Sequence, residues 1–202
     1  IGLVICIGLI FRQMQYIQNK DLGFQTEHIM QLPNGDIRTS PGKYERFKSS
    51  LLEIPAVQNV TASFMSVGLN LHSSMISHDT TDQENKFQWV MVDFDYFETY
   101  EIPIIAGRSF SQEHPSDFTN AFILNQAAVN ALNLDDPVGK RLNLELNNRR
   151  GQIVGVVADY HHENLYETID PTIYHLMFPA MLSTISVKLH PESIQTGIQQ
   201  VE

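Results

Sequence analysis

Residues 1–11, IGLVICIGLIF, form an unbroken apolar run, after which the apolar positions thin to a stripe at Ile10, Phe11, Met14 and Ile17 while Arg12, Gln13, Gln15, Gln18 and Asn19 fill the rest. Steps of three and four place that stripe on one helix face. Eleven residues at ~1.5 Å each cover roughly 16 Å, about half a bilayer core. Three readings compete: a signal-peptide hydrophobic region, a buried core helix, and the last half of a transmembrane helix. The first lacks a basic n-region and a small-residue cleavage site. A lipoprotein site at Leu3-Val4-Ile5-Cys6 is poor, because the β-branched Ile5 stands where a small residue is needed. The amphipathic continuation favours the third reading, with Gly23 as a left-handed stop. The expectation is a piece of a longer membrane protein, in which residues 1–23 end a membrane helix and form a stalk whose packing face is Ile10, Met14 and Ile17.

Beyond Gly23 the period switches repeatedly between two and three to four. HIMQLP at 28–33 predicts a strand and Asn34-Gly35-Asp36 a turn. Ser40 caps and Pro41 opens a helix that buries Tyr44, Phe47, Leu51 and Ile54 and ends at Pro55. VQNVTASFM at 57–65 is the next strand, so this stretch predicts a β-α-β unit with parallel strands and a right-handed crossover. Residues 66–86 are polar and weakly periodic, predicting loop plus one irregular strand before the strong strand KFQWVMVD at 86–93. Asp93 or Asp95 then caps a short helix through Tyr96, Phe97 and Tyr100. An extended piece at 102–107, a polar loop with His114-Pro115, a strand at 122–124, an Ala-rich helix at 125–132, and strands at 138–146 and 152–157 around a turn at 147–151 complete the middle. TISVKL at 184–189 alternates as a half-buried strand, and Pro191 opens a helix with Ile194, Ile198 and Val201 on one side. The expected fold class is α+β in two subdomains: residues 24–66 plus 180–202 as a membrane-proximal β-α-β-containing subdomain, its second unit truncated, and 67–179 as an inserted mixed α/β subdomain.

Composition narrows the function. With 43% hydrophobic residues in 202, the chain buries a sizeable core, and its net charge of −10 argues against a surface that neutralises a nucleic acid backbone. The single cysteine, Cys6, allows no internal disulfide, and no spaced Cys/His set makes a structural zinc site. His161-His162-Glu163 invites a metal, with His72 and His78 as partners in space. Its spacing, however, differs from the i, i+4 histidines of a zinc hydrolase helix, and an imidazole bonded to a loop backbone explains it more simply. No nucleophile elbow, Walker loop or dinucleotide fingerprint is present. Asp93 and Asp95 have the separation of a carboxylate pair, but capping is the commoner role at a strand-to-helix junction. The expectation is a chain that is not an enzyme and holds no metal.

Four motifs in order carry a resemblance: Ile105-Ala106-Gly107-Arg108-Ser109-Phe110, Ile123-Leu124-Asn125-Gln126-Ala127-Ala128-Val129, Pro137-Val138-Gly139-Lys140-Arg141-Leu142, and Val154-Gly155-Val156-Val157-Ala158-Asp159-Tyr160-His161. Preceded by Tyr16-Ile17-Gln18-Asn19-Lys20-Asp21-Leu22-Gly23-Phe24, the set resembles the periplasmic core domain of MacB/FtsX-type ABC-transporter permeases. The resemblance implies a two-part ectodomain on the periplasmic side of the bacterial inner membrane. There it would couple ATP hydrolysis by a separate cytoplasmic ABC ATPase to conformational change, for efflux, lipoprotein or peptide export, or cell-wall regulation. It implies a second permease copy or half as partner, a periplasmic cargo or adaptor, no cofactor in this domain beyond the ATP held by the ATPase, and no nucleic acid. The motif residues Gly107, Arg108, Asn125, Gly139, Lys140, Gly155, Asp159 and His161 would be mainly structural. Two other classes fit the same layout: a ligand-binding sensor ectodomain, marked by a closed apolar pocket, and a metal-dependent hydrolase, marked by converging His ligands.

Overall fold

Short β-rich segments separated by turns build one mixed sheet. The computed structural model describes residues 12, 28–33, 35, 42–64, 73–78, 81–144, 149–160, 169–178 and 181–201. Among them are ten strands, β1 (Ile29–Pro33), β2 (Val57–Ser63), β3 (Ser73–His78), β4 (Thr81–Val92), β5 (Ile104–Gly107), β6 (Ala121–Asn125), β7 (Arg141–Leu144), β8 (Arg149–Val157), β9 (Thr172–Leu176) and β10 (Thr184–Leu189). The helices are α1 (Lys43–Leu52), α2 (Tyr96–Thr99), α3 (Asp117–Asn120), α4 (Gln126–Ala131) and α5 (Ile194–Val201), the last entered through a 3-10 turn at Pro191–Ser193. The strand order is β1-β10-β2-β4-β9-β6-β8-β5, with β3 added as a hairpin on β4 and β7 on β8. The stalk positions Ile10, Met14 and Ile17, and His161 with His162 and Glu163, lie outside the described residues.

The first three strands of that order hold their own core. β10 is antiparallel to both β1 and β2. The predicted β-α-β pair is therefore parallel, as expected, but split by the last strand rather than adjacent. All six residues of β10 are buried, which corrects the half-buried reading. Both its faces are covered: Ile185, Val187 and Leu189 meet Tyr44 and Leu51 of α1 on one side, while Ser186 bonds to Tyr100 on the other. Gly197 lets α5 approach closely, since a Cβ there would lie 3.0 Å from Leu189 and 3.2 Å from Ala56. Gly42, at φ 77° with no side chain to offer, stands at the N-cap of α1, where a cap from Ser40 was expected; Ser40 and Pro41 lie outside the described residues.

The remaining strands carry a larger core on two faces. Val90, Tyr96, Phe97, Tyr100, Ile123 and Tyr174 pack on one side, and Phe87, Trp89, Phe122, Leu124, Ile153 and Ile173 on the other. The central strands are thus apolar on both faces, as buried strands are. Two elements depart from expectation. β9, parallel to β4 and antiparallel to β6, is a central strand where no strand was predicted. Within the polar stretch 66–86, the described residues 73–78 and 81–86 form β3 and the start of β4, a hairpin held by backbone pairing. Between the two cores the sheet narrows to a seam. β2 and β4 pair only at Ser63↔Val92, flanked by bonds from Phe64 N–H to Met91 O (3.0 Å) and Asp93 N–H to Ala62 O (2.9 Å).

Candidate functional site

The motif residues converge on β8, the glycines through backbone and the polar residues through side chains. Gly107 and Gly155 face each other in the β5–β8 register. A Cβ on Gly107 would collide with the Val154 carbonyl oxygen, and one on Gly155 with that of Arg108. At φ +69°, Gly107 also occupies a conformation that L side chains avoid. The turn Pro137–Lys140 is pinned to the same strand: Gly139 N–H donates to Ile153 O (2.8 Å), and Ile153 N–H donates to Lys140 O (2.9 Å). Asn125 caps α4 by accepting from Ala128 N–H (2.9 Å), accepts also from Thr172 N–H (2.8 Å), and donates to Asp170 O (2.9 Å). Asp159, just past β8, accepts from Ala127 N–H (2.8 Å). Arg108 forks onto Asp117 with contacts of 2.5 and 2.8 Å, and this bond to a buried carboxylate pushes the guanidinium above its ordinary pKa. These side chains brace turns and helix ends around one strand. Among the described residues no three His, Cys, Asp or Glu side chains group as metal ligands.

A second set of polar contacts crosses the seam, all from residues 93–101. Asp93 and Asp95 were expected to cap α2. Asp95 stands at the N-cap position but makes no side-chain cap bond. Both instead hold Lys48 of α1, Asp93 at 2.7 Å and Asp95 by a short contact. Tyr44 donates a further bond to Asp93 (2.5 Å), whose other oxygen accepts from Phe94 N–H (2.7 Å). At the other end of α2, Glu101 turns at φ 52° and meets the buried Lys188 of β10, and the Tyr100 hydroxyl bonds to Ser186 (2.7 Å). The same segment sends aromatic rings the opposite way. Phe97 packs on Tyr174 (centroids 5.1 Å), and the Tyr96 hydroxyl lies 3.3 Å from that of Tyr160, which accepts from Tyr174 at 3.0 Å. Residues 93–101 therefore root in the larger core by rings and grip the smaller one by charge.

The electrostatics follow from burial. Desolvation disfavours the Lys48 ammonium, but attraction to Asp93 and the bonds to Asp93 and Asp95 outweigh it and raise its pKa. Burial first, then the neighbouring Asp93, pushes the Tyr44 phenol far above its ordinary value; burial does the same for Tyr96, Tyr160 and Tyr174. Lys48, Lys188 and Glu101 were not singled out from sequence. The available signal was a lysine inside an apolar pattern, Lys48 four residues after Tyr44 and Lys188 within TISVKL.

This fold, a split β-α-β region joined by a narrow seam to a larger mixed sheet, has counterparts among solved structures. The chain resembles the periplasmic region of MacB from Actinobacillus actinomycetemcomitans (16% identity, TM-score 0.60, covering 92% of this chain and 85% of that one). It also resembles the extracellular domain of the ABC-type transporter YknZ from Gram-positive bacteria (14%, 0.55, 84% and 86%). A third likeness is to a domain of a putative permease protein from Porphyromonas gingivalis (16%, 0.53, 76% and 67%). The chain belongs to the MacB-like periplasmic core domain family, whose profile matches residues 1–201. It is thus the extracytoplasmic core domain of a MacB/FtsX-like ABC-transporter permease. No curated protein matches its sequence. Among the described residues no helix is long and apolar enough to cross a membrane.

Proposed function

We propose that this domain transmits work: a separate cytoplasmic ABC ATPase closes on ATP, the movement passes through the membrane helix and the stalk, and the two parts of the ectodomain change their mutual posture. The seam carries this reading. One segment, residues 93–101, holds both parts, and its grip on the smaller part is by ion pairs and hydroxyl bonds, which exchange partners without rebuilding a core. The chain itself catalyses no step and holds no cofactor, ATP being bound by the ATPase. It faces the periplasm from the inner membrane, paired with a second permease copy or half. The work serves export of a cargo, whether a small toxic molecule, a peptide or a lipoprotein, or control of a cell-wall partner.

The test is copurification of the full-length permease with an ABC ATPase from detergent-solubilised membranes. ATP turnover is then compared after polar substitution of Ile10, Met14 and Ile17 together. A stable complex whose turnover changes several-fold supports the reading; a permease that purifies alone, or turnover indifferent to the stalk, overturns it.

A further inference from the structure

Beside the first half of β8 lies an open cleft of about 400 Å³, walled by Arg108, Asp117, Asn120, Arg141, Arg150 and Gln152. Its construction follows from strand register. Arg141 of β7 stands opposite Gln152 of β8, and Asn143 opposite Arg150, so the two arginines are diagonal neighbours on one face of the hairpin. Gly151 between them closes the other face, since a Cβ there would come within 2.6 Å of the Asn120 carbonyl oxygen and of the Phe122 ring. The third guanidinium, Arg108, is fixed at the wall by its fork onto the buried Asp117, which also accepts from Ser111 N–H (3.1 Å). Among the described residues Arg141 and Arg150 have no ion-pair partner. Three guanidinium groups against one carboxylate leave the cleft two charges positive in a chain whose net charge is −10.

We infer that this cleft is a binding site for a phosphate-monoester-type oxyanion. Two planar forks approaching from diagonal positions match a tetrahedral, doubly charged group, which takes parallel N–H bonds from each and neutralises the surplus charge. A polyanion is a poor fit, because the chain's net charge of −10 repels an extended charged chain. The phosphate belongs either to a free small molecule or to a lipid headgroup. The inference stands independently of the transport reading.

The experiment titrates inorganic phosphate into the full chain, held in a neutral detergent, by calorimetry. In parallel it measures how much phosphatidic acid adds to flotation with phosphatidylcholine vesicles, a difference in which the apolar N-terminus cancels. Each is repeated with R141Q/R150Q, whose fold is checked by circular dichroism. Charged hydrogen bonds of this kind are each strong enough that losing them weakens binding roughly tenfold or more. Binding is also expected to fade towards about 1 M salt, where the screening length is about 3 Å. Saturable phosphate binding lost in the variant assigns a free ligand; a phosphatidic acid increment lost in the variant, without phosphate binding, assigns a headgroup. Binding that survives the double substitution, or none in either arm, overturns the inference.

Discussion

The surroundings of β8 and the seam at residues 93–101 are both rich in bonds, yet they are built from opposite materials. Around β8 the contacts are backbone to backbone, made where glycine lacks a Cβ: Gly107 against Gly155, and Gly151 against the Asn120 carbonyl. Such close approach leaves no room for a Cβ at Gly107, Gly151 or Gly155. At the seam one ladder pair is supplemented by long side chains, Lys48 between two aspartates and Lys188 on Glu101, and such groups reach alternative positions by rotating about single bonds. The family motifs thus mark the closely packed backbone around β8, whereas the side chains that grip across the seam lie outside every motif.

Three perturbations test that contrast, the largest first. Gly155→Ala drives a methyl into the Arg108 carbonyl, backbone that cannot yield. It is expected to cost about 3 kcal/mol or more, read as a collapse of the urea midpoint or failure to accumulate folded chain. Tolerance of alanine there would break the rigid-hub half of the comparison.

Lys48→Met strands the buried Asp93 and is expected to cost about 2 kcal/mol, less than a fully buried pair because Asp95 stays partly exposed. Adding Asp93→Asn keeps an oxygen that accepts from Phe94 N–H, lets the amide nitrogen donate to the Tyr44 hydroxyl, and removes the unpaired charge, so the double variant should regain most of the loss. If the two losses simply add in denaturation, the pair is not the grip described here.

The third handle is alkali. A lysine whose folded pKa is raised stabilises fully below the ordinary lysine value and ceases to as pH climbs through the folded one. Buried phenols act in the same direction, since the unfolded chain gives up their protons near pH 10 and the folded chain does not. Each such group should lower stability by up to about 1.4 kcal/mol per pH unit above about pH 10. A midpoint flat to pH 11 would show that the seam and the tyrosine cluster are not buried as drawn.

Much of this was legible in the chain, and the parts that were not have physical reasons. The helices at 43–52 and 126–131 follow from local chemistry, which short spacing encodes. β9 was invisible because TIYHL carries Thr172 and His175 in a strand with both faces buried. Their polarity is met internally, Thr172 by Asp170 and His175 by the Trp89 indole N–H and the Leu176 carbonyl. The grip of Asp93 on Lys48 spans 45 residues, and no local pattern announces a partner that distant. The insertion of β10 between β1 and β2 was likewise hidden, since parallel strands joined through a helix give the same pattern whether adjacent or split.

That inserted strand has a consequence for biosynthesis. β1 and β2 leave the ribosome about 120 residues before β10, which begins at Thr184 while β2 ends at Ser63. At a synthesis rate of about 5–20 residues per second, the nascent chain waits roughly 6–24 s with two strands flanking a one-strand gap, each edge open to foreign pairing. β10 fills the gap between β1 and β2, so a nascent protein interrupted before Thr184 is left with unpaired edges and is a ready substrate for quality-control proteases.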